Sequence, residues 1–189
     1  MPGWFENSFV FYLSYHNNPI NQLIHIVCVW PILFTAQIML SYTPTILQDF
    51  QLFSAVPAEY KLNWAFAASV IYVLYYFTIE QPGIAGPIAG LLTIGGYLFA
   101  NRISDDPNAF NIAAAVHIVC WIAQFYGHGA HEKRAPALLD NLVQAVMMAP
   151  LFVLMEVMFK LGYKNEFYKR TLVASQKEIA KFRAATKNA

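Results

Sequence analysis

The stretch FNIAAAVHIVCWIAQFYGHGAHEKR, residues 110–134, joins a long apolar run to a cluster of histidines, one acid and two bases. The apolar part approaches the ~20 residues that an α-helix needs to cross the hydrocarbon layer of a membrane. Polar groups at membrane depth are costly and usually functional. The stretch therefore indicates a membrane helix with a chemically active site at its end.

The composition of the whole chain also favours a membrane protein. Of its 189 residues, 58% are hydrophobic and 12% are charged. Soluble domains have roughly 45–50% apolar and about 25% charged residues. A soluble protein with a very apolar core is the weaker alternative, because a short chain has little interior. The first ten residues contain no Lys or Arg, so we expect an uncleaved first membrane segment instead of a signal peptide.

Five apolar segments are candidates for membrane helices, at residues 21–42, 62–78, 83–100, 110–126 and 142–161. We predict an all-α fold, a polytopic membrane helical bundle with four to five hydrophobic helices. Pro150 and Glu156 interrupt the fifth segment, which leaves its crossing open. Residues 1–163 are expected to form a membrane-embedded catalytic bundle, and residues 164–189 a basic C-terminal tail that is either a surface helix or disordered.

The order of the segments brings most histidines to one membrane face. If the first four segments cross, the start of the first and the end of the fourth emerge on the same side. His16, His25, His128 and His131 then share that side. Eight of the twelve Lys and Arg residues lie from Lys160 onward. This basic tail shares the histidine face only if the fifth segment does not fully cross, and the positive-inside tendency favours that arrangement with a cytosolic face.

These histidines predict a site for a single metal ion, since neutral imidazole is the commonest metal ligand. His128 and His131 are three residues apart and share a face if the stretch is helical, and Glu132 adds a carboxylate to that face. Gly127 and Gly129 would let the backbone approach an ion or ligand. Histidine ligands with open coordination positions fit non-haem iron(II), with zinc as the competing metal.

The sequence assigns the remaining histidine and the two cysteines to structural roles, and it lacks the motifs of several other enzyme classes. His117 lies about 16 Å deeper along the helix than His128 and is expected to pair with a neighbouring helix. Cys28 and Cys120 lie in apolar runs and are predicted to be core residues. There is no phosphate-binding loop, dinucleotide fingerprint or nucleophile elbow, and no basic cluster with an aromatic platform, so we expect no nucleic-acid partner.

YHNNPIN (15–21), LIH (23–25) and QFYGHGAHEKRAPALLDNL (124–142) together resemble the fungal 2-hydroxy fatty acid dioxygenase family. The resemblance covers residues 11–163 and the order of the segments. It implies an endoplasmic-reticulum membrane enzyme of phytosphingosine and sphingolipid breakdown. The implied activity is Fe(II)- and O₂-dependent α-oxidation of a 2-hydroxy long-chain fatty acid, which shortens it by one carbon.

The resemblance also implies roles for individual residues. The family's histidines correspond to His16, His25 and His128. His131 is an expected fourth ligand, although the family pattern GHxxxEK does not require a histidine there. Glu132 and Lys133 match that pattern and are assigned catalytic roles.

Two further residues are assigned to the substrate. Arg134 would hold the substrate carboxylate, with Lys133 as the alternative, and both residues are equally well explained as charges that fix the orientation of the chain in the membrane. Asn21 is assigned to substrate binding; it is also explained as a partner that orients the histidines or as a helix cap. The apolar substrate chain is expected between helices, next to membrane lipid.

Two functions of other classes remain open at this point. The first is a lipid-binding or scaffolding membrane protein whose histidines form a structural site. The second is a small transporter that uses His117 and Glu156, although no repeated halves support it.

Overall fold

The computed structural model describes residues 3–47, 50–57, 59–80, 82–136, 141–142 and 144–187. Within these ranges the chain is helical and has no strand, which confirms the predicted all-α class. The α-helices are α1 (Trp4–Tyr15), α2 (Pro19–Ser41), α3 (Trp64–Ile79), α4 (Ala85–Ile103), α5 (Ala109–Tyr126), α6 (Ala149–Lys160) and α7 (Asn165–Lys187). A 3₁₀ turn covers Gln51–Phe53, and π-helical segments cover Gly127–Glu132 and Gln144–Met148.

The helix ends follow local sequence signals. Helix α2 begins at Pro19, where a missing N–H costs nothing because the first helical N–H groups have no partner within the helix. Helix α3 begins after Asn63, whose side-chain oxygen accepts a hydrogen bond from the Phe66 N–H at 3.2 Å. Pro150 lies in the first turn of α6, where proline is tolerated for the same reason as at Pro19.

Two helices of the described chain, Pro19–Ser41 and Ala109–Glu132, are long and apolar enough to cross a membrane. A third candidate is the pair Ala145–Lys160 and Asn165–Ala185, which is bent by 116° and is either a broken span or a re-entrant loop. Helix α3 has 16 residues, fewer than the ~20 that a straight crossing needs. The apolar helices therefore indicate membrane association with two or three candidate spans, and the expected four to five spans are not confirmed.

The chain forms two compact units, and the first contains Met1–Val27 and Ala123–Ala189. Its core is aromatic and joins α1, α6 and α7. The ring of Phe9 lies 5.0 Å from Phe152, 5.5 Å from Phe159 and 5.7 Å from Phe167, measured between centroids. This packing fixes the position of α1, the helix whose C-cap residue is His16.

The basic tail forms a helix that lies along α1. Arg170 of α7 donates two hydrogen bonds to the Glu6 carboxylate, at 2.7 and 2.9 Å. Beyond the end of α1, Asn17 Oδ1 accepts a hydrogen bond of 2.9 Å from the amide of Gln176 in α7. Of the two alternatives for the tail, the structure therefore shows the helix.

The second unit contains Cys28–Ile122. In it, α3 packs on α4, and buried polar side chains connect the helices. Gln37 donates to Ser69 Oγ at 2.8 Å and to the Thr93 carbonyl at 2.9 Å. Such bonds satisfy polar groups that would be costly in apolar surroundings.

Candidate metal centre

Three histidines of the first unit meet in a buried cluster. Their ring centroids are 4.3 Å apart for His16 and His25, 4.9 Å for His16 and His128, and 4.9 Å for His25 and His128. One ligand nitrogen from each ring lies within 4.8 Å of the others. The side chains are 5%, 3% and 3% exposed, respectively, so solvent contributes little to the site.

Backbone hydrogen bonds set the orientation and tautomer of two rings. His16 Nδ1 lies 2.8 Å from the Tyr12 carbonyl oxygen, and His25 Nδ1 lies 2.9 Å from the Asn21 carbonyl oxygen. A carbonyl oxygen only accepts, so each Nδ1 carries the hydrogen and donates. The lone pair of each neutral ring is therefore on Nε2, the arrangement that metal-binding histidines use.

The nitrogens left over fit a metal ion. His16 Nε2 and His128 Nδ1 are buried and have no hydrogen-bond partner in the described structure. A buried polar atom without a partner is costly, and a cation shared by the three rings would remove that cost. Burial lowers the pKa of His16 well below its ordinary value of 6.5, and the neighbouring His25 and His128 lower it further. His16 is therefore neutral, as a ligand must be.

Glu132 and Asn21 connect the segments that carry the histidines. Glu132 Oε1 accepts from the Asn18 N–H at 2.7 Å and from Asn21 Nδ2 at 3.2 Å. Asn21 Nδ2 also lies 3.3 Å from the Tyr15 carbonyl oxygen. Asn21 is fully buried, and its Oδ1 has no hydrogen-bond partner within the described residues. The assigned catalytic residue Glu132 thus has well-defined structural contacts, and its catalytic role stays a prediction.

The segment Gly127–Glu132 extends α5 as a π-helix, whose turn is wider than that of an α-helix. The predicted common face of His128 and His131 assumes α-helical spacing and does not hold in this geometry. His128 points into the cluster, whereas His131 is half-buried beside Tyr126, with ring centroids 5.6 Å apart. His131 is outside the group of three, and its role as a ligand stays an untested prediction.

The two glycines of the π-helix have different surroundings. A Cβ at Gly127 would collide with Asn21 Oδ1, so the close approach of the π-helix to α2 requires glycine there. A Cβ at Gly129 would meet nothing within 4 Å. The backbone therefore makes the expected close approach at Gly127, but the group that it approaches is the Asn21 side chain and not an ion or ligand.

The two bases after the π-helix are placed differently. Lys133 is exposed and has a left-handed backbone conformation, with φ of 53°. It is the C-cap of the π-helix, and its N–H donates a hydrogen bond to the His128 carbonyl. Arg134 is half-buried between two rings, and its guanidinium carbon lies 3.3 Å from the centroid of Tyr15 and 4.3 Å from that of Phe182. Such contacts fix the plane of the guanidinium.

His117 belongs to the second unit and has its own partners. Its Nε2 accepts from Trp121 Nε1 at 3.0 Å, and its Nδ1 lies 2.8 Å from Thr35 Oγ1 of α2. The expected pairing of His117 with another helix is therefore seen. Cys28 and Cys120 are buried free cysteines, in agreement with their prediction as core residues.

Two aromatic residues near the site were missed by the sequence reasoning. The Tyr12 ring stacks on His16 with centroids 4.1 Å apart, and Phe182 covers Arg134. The four-residue spacing of Tyr12 and His16 was an available signal, because such residues lie on one face of a helix. No local signal connects Phe182 to the site, since its contact is made across the fold.

A comparison with protein families matches residues 4–161 to the family described as "2-hydroxy-palmitic acid dioxygenase Mpo1-like". The chain belongs to the Mpo1-like family. The match includes all three clustered histidines and Arg134, and it ends before α7 begins. Phe182 and Arg170 lie on α7, outside the matched region.

A curated relative supports the same membership. The Mpo1-like chain is 37% identical to "2-hydroxy-palmitic acid dioxygenase MPO1" of Saccharomyces cerevisiae over 155 residues, which are 81% of this chain and 79% of the relative. No solved structure was found to match the chain.

Proposed function

We propose that this protein is a membrane-embedded, iron(II)-dependent dioxygenase that removes one carbon from 2-hydroxy fatty acids. The observation that carries the proposal is the buried cluster of His16, His25 and His128, with ring nitrogens left without partners, in a chain of the Mpo1-like family. The name of the yeast relative supports both the reaction class and the substrate class.

His16, His25 and His128 would hold the iron. Iron(II) with open coordination positions activates O₂, which amino-acid side chains alone do not do well. Imidazole ligands carry no negative charge, so they leave the positive charge of the iron uncompensated. The site therefore favours an anionic ligand such as the carboxylate of the substrate.

Arg134 and Asn21 are the residues we assign to the substrate head group. The guanidinium carbon of Arg134 lies near the rings of Tyr15 and Phe182, and its Nη1 donates to the Ser14 carbonyl at 3.5 Å. Its remaining N–H groups would bind the substrate carboxylate. The unpartnered Oδ1 of Asn21 is an acceptor for the 2-hydroxyl group. Lys133 is exposed, so we assign the carboxylate to Arg134.

The alkyl chain contributes little to discrimination. Burying a CH₂ group from water is worth about 0.8 kcal/mol, but a substrate that arrives from the bilayer has already left water. Selectivity should therefore depend on the 2-hydroxy-acid head group and only weakly on chain length.

We further propose the cellular setting that the family resemblance implies. The protein would lie in the endoplasmic-reticulum membrane and act in phytosphingosine degradation, with residues 1–163 as the catalytic bundle and 164–189 as a basic tail. The start of α2 and the end of α5 both carry histidines of the cluster, which puts these two ends at one site. The basic α7 belongs to the same unit and supports a cytosolic active face.

The proposal is tested with purified protein loaded anaerobically with iron(II). Metal content, oxygen uptake with 2-hydroxypalmitate and the chain length of the product are measured for the wild type and for His16→Ala, His25→Ala and His128→Ala. We expect each variant to lose iron and oxygen uptake. His117→Leu, which removes a histidine that is not one of the three, is the control and should retain both. His131→Ala tests the predicted fourth ligand, and unchanged iron content would remove His131 from the ligand set.

Two results would contradict the proposal. Wild-type protein that holds no metal under these conditions would exclude the metal centre. Bound metal without oxygen uptake would instead support the structural-site alternative, in which the chain is a lipid-binding or scaffolding protein.

A further inference from the structure

A buried carboxyl group of α6 lies close to the cluster and has no role in the function proposed above. Glu156 is 6% exposed and lies on α6, which also buries the apolar residues Phe152, Val153 and Met155. Its Oε2 accepts a hydrogen bond from the Tyr12 hydroxyl at 3.2 Å. Burying a carboxyl group is costly unless it is hydrogen-bonded, and an apolar residue of similar size would avoid that cost.

Tyr12 in turn touches His16 in two ways. Its ring stacks on the imidazole with centroids 4.1 Å apart and planes inclined by 24°. Its backbone carbonyl accepts from His16 Nδ1 at 2.8 Å. The ring of Phe152 lies 5.2 Å from that of Tyr12 and supports it from α6.

These contacts form one chain from α6 to the metal centre. The hydrogen bond to Glu156 fixes the hydroxyl end of Tyr12, and the ring of Tyr12 then limits the tilt of His16. Partners of this kind orient metal-binding imidazoles, and their loss typically lowers metal affinity by about 10–100-fold.

We propose that Tyr12 and Glu156 are a positioning pair that holds the imidazole of His16 in the orientation required for metal binding. The inference rests on the proposed role of His16 as a metal ligand. It assigns Glu156 a function at the site although it touches neither metal nor substrate. The hydrogen bond to Tyr12 also explains why a glutamate lies within the apolar segment of α6.

The test uses Co²⁺ as the probe, because its visible absorption reports ligand geometry without any turnover. Dissociation constants and spectra are measured for Tyr12→Phe, which keeps the ring, for Glu156→Gln, which keeps an acceptor, and for Glu156→Leu, which removes it. We expect an affinity loss of about tenfold or more and a shifted spectrum for Tyr12→Phe and Glu156→Leu. Glu156→Gln should stay close to the wild type in both readouts.

The double variant Tyr12→Phe with Glu156→Leu separates positioning from stability. It removes both hydrogen-bonding groups, so no unpaired polar group remains and the melting temperature should recover relative to the single variants. A positioning role requires the Co²⁺ affinity to stay low despite that recovery. Thr171→Val, at a fully buried α7 position whose hydroxyl bonds its own helix, is the control and should bind Co²⁺ as the wild type does.

The outcomes distinguish this inference from the function on which it rests. If the wild type binds no Co²⁺, Zn²⁺ or Fe²⁺, the metal centre itself is excluded, and the positioning role with it. If the wild type binds Co²⁺ and the double variant matches its affinity and spectrum, the positioning role alone is overturned.

Discussion

Asn21 and Glu132 are 111 residues apart in the sequence, and their side chains are joined by a hydrogen bond of 3.2 Å. Asn21 precedes His25 by one helical turn and provides the carbonyl that orients it. Glu132 ends the π-helix that carries His128. The bond therefore ties together the two segments that bring these histidines into contact, and it makes the geometry of the cluster sensitive to either residue.

Glu132→Ala should weaken both the fold and the metal centre. The change leaves the Asn18 N–H without its acceptor and leaves Asn21 Nδ2 with only the Tyr15 carbonyl. An unpaired buried donor typically costs about 1–3 kcal/mol of unfolding free energy. Metal affinity should fall by about 10–100-fold. Chemical denaturation and metal titration measure the two effects, and the exposed Glu166→Ala is the control.

Glu132→Gln then distinguishes positioning from catalysis. The glutamine oxygen accepts the same two hydrogen bonds, so the fold and metal affinity should stay near those of the wild type. If kcat nevertheless falls by 100-fold or more while the iron content is retained, Glu132 has the catalytic role predicted from the sequence.

Gly127→Ala should reduce metal binding and stability, whereas Gly129→Ala should change little. A Cβ at Gly127 collides with Asn21 Oδ1, but one at Gly129 meets only open space. Overpacking of this kind typically costs about 1–3 kcal/mol. Melting temperature and Co²⁺ affinity, measured for both variants, check the contrast. Equal melting temperatures and Co²⁺ affinities of the two variants would show that the π-helix does not need the close approach of Gly127 to Asn21.

The attachment of α7 to α1 should weaken in acid. The hydrogen bonds from Arg170 hold the pKa of Glu6 below its ordinary value of 4.5. A carboxylate with a lowered folded-state pKa stabilises the fold fully above its unfolded pKa, and this contribution is lost as the pH falls through the folded value. The difference in melting temperature between the wild type and Glu6→Gln should therefore be largest near neutral pH and shrink below pH 4.5.

High salt offers an independent check of the same ion pair. The side chains of Glu6 and Arg170 are partly exposed, and in 1 M NaCl the Debye length falls to about 3 Å. High salt should therefore reduce the difference in melting temperature between the wild type and Glu6→Gln at neutral pH. A difference that is unaffected by both acid and salt would show that the ion pair does not attach α7.

Arg134→Lys should raise the KM for 2-hydroxypalmitate by about tenfold or more and leave the iron content unchanged. Lysine neither stacks between two rings nor makes two parallel bonds to a carboxylate. Phe182→Leu should have a smaller effect in the same direction, because it removes one of the two rings. Steady-state kinetics measure both changes, with the exposed Arg183→Lys on α7 as control. An unchanged KM for Arg134→Lys would remove Arg134 from substrate binding.

His117→Leu should lower the melting temperature without removing iron. The change deletes the hydrogen bonds to Trp121 and Thr35, each typically worth about 0.5–1.5 kcal/mol. Metal content per chain and thermal unfolding are measured on the same sample. Loss of iron at a normal melting temperature would contradict a purely structural role of His117.

The sequence was sufficient to predict the helices whose signals are local. The apolar run at 21–42 corresponds to α2, and the run at 110–126 corresponds to α5, because length and hydropathy act along a single segment. The number of spans depends on more than apolar runs. Helix α3 has 16 residues, fewer than the ~20 that a straight crossing needs, so the predicted four to five spans are not confirmed.

Features that depend on distant contacts were not predictable. Helix α1 is not among the five apolar segments, and the packing of Phe9 with α6 and α7 holds it in place. The π-helix replaces the expected α-helical face of His128 and His131, and its position depends on the contact of Gly127 with Asn21. The acceptor role of Glu132 likewise requires partners more than a hundred residues away.

The three clustered histidines come from the two ends of the chain, within Met1–Val27 and Ala123–Ala189, and Cys28–Ile122 supplies none of them. The clustered histidines and the helices of Cys28–Ile122 are thus encoded in separate stretches of the gene. Substitutions between Cys28 and Ile122, for example ones that adjust the apolar helices to a thicker bilayer, would therefore leave all three clustered histidines in the chain.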